Sequence, residues 1–296
     1  MQPIIQKLLA WYRKNKRELP WRRTTDPYAI FISELMLQQT QVDRVIPKYK
    51  AWLERFPNWK KLATASTPDI IHAWSGLGYN RRGLYARDAA KQIVTNGIPT
   101  TLEGWREIKG VGPYMAAAIM EFAQHERAVV LDTNVRRVAG RLFVGDAFPS
   151  PVDDKKILPT LDEATPKSGE HWDLPQAFMD FANAVCLHRS PKCATCPLRN
   201  DCKAAWYFLG TNKAKPPKKI STERVRTGKK YPDRIYRGRI LKIVLEQERV
   251  GQGALGPLID ETYTSKDAPW VQAMLDRLVA DGLLARSGKH LTLPNK

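Results

Sequence analysis

The sequence predicts an all-α chain of two domains' length, closed by a small α+β segment. Three observations carry this reading. Before the basic stretch that begins at Lys213, apolar side chains recur at helical spacing. Strand-like alternation is scarce there. The clear alternating pair lies near the C-terminus, around Ser287-Gly288. The 296 residues suffice for two domains at about 150 residues each, and a hydrophobic share of 43% can fill their cores.

Taken in order, each element has a local cause. Asp26 followed by Pro27 is an N-cap with proline at the first helical position, predicting a helix to about Gln39. Thr67-Pro68 repeats the device. Ile70, Ile71 and Trp74 share one face, and the helix stops at Gly76-Leu77-Gly78. Residues 101–108 read as a short helix. Gly110-Val111-Gly112 is a tight turn, and Pro113 opens a helix to about Gln124. Another helix follows Asp132 through Val135, Val138, Ala139 and Leu142. After the basic stretch, residues 239–248 form a helix and 251–262 a turn with a short helix. Residues 267–281 form an amphipathic helix with Trp270, Met274, Leu275 and Leu278 inward, and residues 282–293 a two-stranded hairpin. Helices ending in a hairpin resemble a winged-helix domain.

Composition narrows the function. Charged residues make up 26% and the net charge is +18. No apolar run reaches the roughly 18 residues of a membrane span. The first twenty residues hold Trp11, Tyr12 and five basic residues, so they are no secretory signal. Membrane, secreted and disordered classes are thereby excluded, and a polyanionic partner is expected. Between Lys213 and Arg239 eleven basic residues face only Glu223 and Asp233. With Pro216, Pro217 and Pro232 and no apolar period, 213–234 reads as an exposed linker, either a solvated tether or a phosphate contact.

All four cysteines fall within one short segment, as Cys186-x6-Cys193-x2-Cys196-x5-Cys202. Four thiolates so close suit one metal or cluster site, and spacing alone leaves zinc and iron–sulfur open. The spacing resembles the 4Fe-4S motif of the helix-hairpin-helix DNA glycosylases, which include endonuclease III and the MutY adenine glycosylases. The resemblance spans about residues 3–210 and implies a helix-hairpin-helix glycosylase core at 1–212. Within it, about 21–124 would be a six-helix domain, with 1–20 and 125–212 the cluster domain. The winged-helix-like part would occupy 235–296. It also implies a 4Fe-4S cofactor on Cys186, Cys193, Cys196 and Cys202. Gly110, Val111 and Gly112 resemble the family's hairpin that clamps a DNA phosphate, whose general basis is a helix N-terminus holding an anion. Ile108-Lys109 replaces the usual Leu-Pro and adds a positive charge nearby.

Glu34 stands in Ser33-Glu34-Leu35-Met36-Leu37-Gln38-Gln39-Thr40-Gln41-Val42. On a helix its neighbours are Ile30, Phe31, Leu37 and Gln38, mostly apolar, and a desolvated carboxyl keeps a proton near neutral pH. This stretch resembles the MutY signature, whose glutamate protonates the adenine. Asp132 precedes Thr133-Asn134 and by itself reads as an N-cap. The resemblance implies that it stabilises the cationic sugar, with Asn134 orienting the site; the family commonly has glycine where Thr133 stands. Tyr114 occupies the position of the Schiff-base lysine of bifunctional relatives, so lyase chemistry by that route is not expected. Gly76-Leu77-Gly78-Tyr79 resembles the segment whose tyrosine wedges into the duplex, and Gln38 and Gln39 resemble strand-reading groups; Asn80 departs from the usual second tyrosine. Arg189, Lys192, Arg199 and Lys203 would meet phosphate, and His188 would lie on that surface.

These readings lead to a monofunctional, monomeric, cytoplasmic prokaryotic DNA glycosylase acting on double-stranded DNA. It would excise adenine opposite 8-oxoguanine or guanine. A thymine or uracil mismatch glycosylase is the near alternative, and a non-catalytic iron–sulfur DNA-binding or redox-sensing regulator the alternative of another class. The tail of 62 residues is shorter than the MutT-like domain that usually ends MutY enzymes.

Overall fold

The computed structural model describes residues 1–167, 169, 171–210, 215–217 and 225–294. Lys213, Lys218, Lys219, Glu223 and Arg224 of the basic stretch lie outside the described residues. The helices run α1 (Gln2–Asn15), α2 (Pro27–Leu37), α3 (Val42–Arg55), α4 (Trp59–Ala63), α5 (Thr67–Trp74), α6 (Arg81–Asn96), α7 (Leu102–Arg106), α8 (Pro113–Ala123), α9 (Thr133–Ala139), α10 (Asp154–Ala164), α11 (Asp173–Ala184), α12 (Trp206–Leu209), α13 (Asp233–Gln247), α14 (Leu255–Ile259) and α15 (Ala268–Ala280). Three short strands, β1 (Arg249–Gly251), β2 (Ala285–Ser287) and β3 (His290–Thr292), form an antiparallel sheet in the order β1-β3-β2. No helix among the described residues is long and apolar enough to cross a membrane.

The chain forms two compact units. One comprises Met1–Ile30, Thr100–Glu107 and the chain from Val111 through the cysteine segment; the other comprises Phe31–Pro99, Ile108–Gly110 and α13 onward. In the first, Ile5, Leu8 and Tyr12 of α1 meet Val135 and Val138 of α9 and Phe178 and Phe181 of α11 in one core. Asp180, with 1% of its side chain exposed, ties this unit together. It accepts from the Arg17 amide at 3.0 Å, from Arg17 Nε at 2.7 Å and from both Arg22 Nη atoms. In the second unit, Trp52 packs edge-on against Trp74 and Phe56, and Phe31 against Trp59.

Local differences from the expected elements have clear causes. The Asp26-Pro27 start is as expected, with Asp26 Oδ1 accepting from the Tyr28 amide at 3.0 Å. The helix stops at Leu37, before Gln39, which takes a left-handed φ of 56°. Ser66, not Thr67, caps α5 through its hydroxyl and the Asp69 amide, which leaves Pro68 at the second position. Helix α13 starts at Asp233, well before the expected 239, because Pro232 sits at its N-cap and Asp233 in its first turn. The C-terminal hairpin gains β1 as a third strand. His188 is exposed, as expected of a surface residue, with its ring edge-on to Phe148 at 5.9 Å and its carbonyl accepting from Arg141.

Candidate functional site

Nine successive residues of α2, Tyr28 to Met36, are buried, so this helix has no solvent face. Glu34 lies among them at 6% exposure. A carboxylate so placed costs several kcal/mol unless it is bonded or protonated. That is the environment a general acid needs.

The far end of α2 is held by a residue that the sequence reading passed over. Arg82 is buried, and its Nη1 donates to the carbonyls of Leu35 at 2.9 Å and Gln38 at 2.6 Å. Its Nη2 donates to Leu77 and Gly78. The guanidinium lies over the rings of Trp74 and Tyr79, and burial pushes its pKa below the ordinary value. It remains a cation. One residue thus ties the orphan carbonyls of α2 to the Gly76–Tyr79 turn. Its sequence signal was the pair Arg81-Arg82 opening a helix, where the helix dipole disfavours cations unless something else holds them.

In the turn, Gly76 and Gly78 have φ of 90° and 74°. Tyr79 has φ of 47° and is 46% exposed. A non-glycine residue there stores about 1–3 kcal/mol and persists when its surroundings dictate it. Here Arg44 donates to the Gly76 carbonyl, Thr40 to Leu77, and the Trp74 indole to Gly78 at 3.1 Å. The turn therefore presents an aromatic ring outward from a fixed base. Gln38 is half-buried and Gln39 exposed in the same unit.

Gly110, with φ of 93°, packs so closely on Tyr85 that a Cβ would meet its ring at 3.2 Å. Lys109 lies over the same ring. Gly112 is the N-cap of α8, and Val111 is buried as an anchor. The amides of Gly110, Val111 and Gly112 have no acceptor among the described residues, as an anion-binding hairpin requires. Tyr114 is half-buried in the first turn of α8.

Glu34, Gln38, Gln39, Tyr79 and Gly110 belong to the second unit. Asp132, Asn134, Tyr114 and the cysteines belong to the first. Asp132 caps α9 as expected: Oδ1 accepts from the amides of Asn134 at 2.8 Å and Val135 at 2.6 Å, and Oδ2 from Asn134 Nδ2 at 2.8 Å. Asn134 in turn accepts from Arg137, whose Nε donates to the Cys186 carbonyl at 2.9 Å. Asn134 thus fixes the carboxylate rotamer, and Arg137 fixes Asn134.

The four cysteines line one cavity of about 30 Å³, together with apolar side chains such as Leu142, Phe181 and Phe208 and the cations Arg141, Lys192 and Arg199. Burial, aided by the neighbouring thiols, pushes Cys196 and Cys202 up to about 11. Arg141, itself buried, donates to Cys186 Sγ at 3.4 Å and to the carbonyls of Leu187 and His188. Among the described residues, no three His, Cys, Asp or Glu side chains group as a single-ion site. Arg189, Lys192, Arg199 and Lys203 around this segment are exposed.

A profile of the HhH-GPD superfamily base excision DNA repair proteins matches residues 32–161. The chain is 35% identical to the adenine DNA glycosylase of Mycobacterium tuberculosis (strain ATCC 25618 / H37Rv) over 296 residues, covering 95% of this chain and 90% of that protein. It is 36% identical to the adenine DNA glycosylase of Homo sapiens over 209 residues, covering 67% of this chain and 38% of that one. A solved thermostable thymine-DNA glycosylase is similar with a TM-score of 0.64 and 25% identity, over 68% of this chain and 94% of that one. Endonuclease III in a trapped covalent DNA intermediate shares the fold at a TM-score of 0.58 and 20% identity, over 69% and 94% of the two chains.

Proposed function

The chain belongs to the HhH-GPD superfamily of base excision DNA repair proteins, and from that premise we propose that it is a monofunctional adenine DNA glycosylase. It hydrolyses the N-glycosidic bond of adenine opposite 8-oxoguanine or guanine in double-stranded DNA. The observation that carries this reading is Glu34, a carboxyl within the buried run Tyr28 to Met36 of α2. The extended likeness to adenine DNA glycosylases supports the choice of base.

Extraction of the base costs a few kcal/mol of stacking. The outward ring of Tyr79 fills the gap, with Gln38 and Gln39 beside it. The amides of 110–112 and the cations Arg189 and Lys192 hold phosphates. Glu34 gives its proton to the base as the C1′–N bond breaks. Asp132, locked by Asn134, faces the oxocarbenium-like sugar, with Tyr114 beside it. Water adds to C1′ and yields the free base and an abasic site. Tyrosine at 114 offers no amine for a Schiff base, so the strand stays intact.

The thiols of Cys186, Cys193, Cys196 and Cys202 would hold a 4Fe-4S cluster. Four thiols lining one cavity are the donor set such a cluster takes, and the spacing resembles the family's cluster motif. When bound, the cluster supplies a structural cross-link to the cysteine segment. We read 1–212 as the glycosylase core, 213–234 as a basic linker and 235–296 as a winged helix. The order α13-β1-α14-α15-β2-β3 and the central β3 support the last assignment.

The likeness to a thymine-DNA glycosylase favours a second reading, excision of mismatched thymine or uracil. Single-turnover base release from A:8-oxoG, A:G, T:G and U:G duplexes, with and without alkali, separates the two. Release from the adenine pairs, with strand breaks only after alkali, is expected. Glu34→Gln should abolish release and preserve binding. Binding without release on every duplex would overturn the enzyme in favour of a regulator.

A further inference from the structure

We propose that the C-terminal segment grips DNA phosphate through α13, the first helix of that segment, rather than serving as a free tail. The inference rests on reading the chain as a DNA glycosylase. Within the second unit, α13 and α15 face the Gly76–Tyr79 turn across a cavity of about 320 Å³. Gln38, Gln39 and Tyr79 line one wall. Arg234, Arg237, Gly238 and Leu241 of α13 line another; their spacing is one helix face.

The lining holds five arginines, Arg81, Arg82, Arg234, Arg237 and Arg277, against one carboxylate, Asp281. That carboxylate is taken: Arg81 Nη1 reaches it at 2.9 Å and Arg277 Nε at 3.5 Å. Arg82 is bound to backbone carbonyls. Arg237 is half-buried and has no acceptor among the described residues. Like charges held around one opening repel unless an anion enters, and guanidinium is the donor suited to phosphate.

Gly238 points to the same ligand independently. Glycine in a helix interior is unfavourable relative to alanine. Packing does not demand it here, since a Cβ would meet nothing within 4 Å. Its lack of a side chain keeps the wall low between Arg234 and Leu241, where a DNA backbone approaches closely. The cavity lies beside the wedge Tyr79, so the bound phosphate is a neighbour of the extruded nucleotide. The five cations single out phosphodiester over an uncharged partner.

The test uses the full chain carrying Glu34→Gln, so that binding is measured without turnover. Binding to an A:8-oxoG duplex is followed from 50 to 300 mM salt (about a sixfold range, chosen so that counterion release resolves single contacts). Arg237→Ala should weaken binding about tenfold and lower the salt slope by about 1. Arg237→Lys should restore the slope but only part of the affinity. Gly238→Ala should weaken binding while leaving thermal stability unchanged or higher. Lys242→Ala, on the outer side of α13, is the control and should change neither. Unchanged affinity and slope in Arg237→Ala overturn the proposal, as does an equal loss in Lys242→Ala, which makes the effect one of net charge. Base release by the Glu34 protein with no effect of Arg237→Ala leaves the glycosylase reading standing and this one fallen. Arg237-dependent binding by a protein that releases no base is the reverse.

Discussion

Arg82 concentrates several demands in one side chain. Its two Nη atoms serve four carbonyls, at the end of α2 and in the Tyr79 turn. Removing it takes a donor from each of the four carbonyls, although Thr40 and the Trp74 indole still serve Leu77 and Gly78, at about 2–4 kcal/mol in total. Lysine cannot replace it, because a single ammonium lacks the planar fork. Arg82→Ala should lower the urea midpoint accordingly. It should also slow single-turnover excision more from an intact duplex than from one with a gap opposite the target base, where little unstacking is needed. Equal slowing on both substrates would reduce Arg82 to a purely structural role. Its partners on the far side were not legible beforehand, since Leu35 and Gln38 lie 47 and 44 positions away, whereas Leu77 and Gly78 lie 5 and 4 away. Asp132 was legible as a cap because its donors lie two and three residues on. Residue by residue, what a sequence exposes is set by how far away the partner is.

The same rule governs whole elements. Helices opened by Asp26-Pro27 and Pro113 have local starts and were read correctly. The end of α2 depends on the left-handed Gln39, and β1 is a three-residue strand whose register partner, Leu291 opposite Val250, comes 41 residues later. No period marks so short a strand. The join of α1, the turn at Pro20–Arg22 and α11 is equally hidden, because it runs through Asp180 to cations 158 and 163 positions away. Burial alone pushes the Asp180 carboxyl up, but Arg22 and Arg17 outweigh it and hold it below the usual carboxylate range. A lowered folded-state pKa adds stability above the unfolded value of about 3.9, and this is lost as pH falls through the folded value. Asp180→Asn should therefore cost about 3–5 kcal/mol near neutral pH. Urea unfolding from pH 7 to 3 should show the gap to the parent shrinking below about pH 4. A gap of constant size would mean that the ion pairs contribute nothing that titrates.

At the scale of the molecule, charge and cysteines organise the chain differently from how either looked alone. The net charge of +18 foretold a polyanionic partner, yet not every cation in the basic stretch is available to one. Lys229, in the expected exposed tether, is buried between Asp260 at 2.7 Å and Asp267 at 2.9 Å, over the ring of Trp270. It pins that end of the stretch to the C-terminal fold. The cysteine segment contributes Leu198 to the first unit's core, while the other buried core side chains come from helices and the turn at 140–144. Loss of the cluster should therefore release the segment without melting the unit. Oxidation and iron chelation should cut DNA affinity severalfold, as Arg189, Lys192, Arg199 and Lys203 lose their fixed spacing, with most far-UV helical signal retained. Because burial holds Cys196 and Cys202 protonated near neutral pH, reloading must expel protons. Iron uptake should thus weaken as pH falls from 8 to 6, by up to tenfold per unit for each proton displaced. Absorption near 400 nm, followed alongside circular dichroism, reports uptake and folding separately. Collapse of the helical signal on chelation would show instead that the cluster, rather than the α1-α9-α11 core, holds the first unit together.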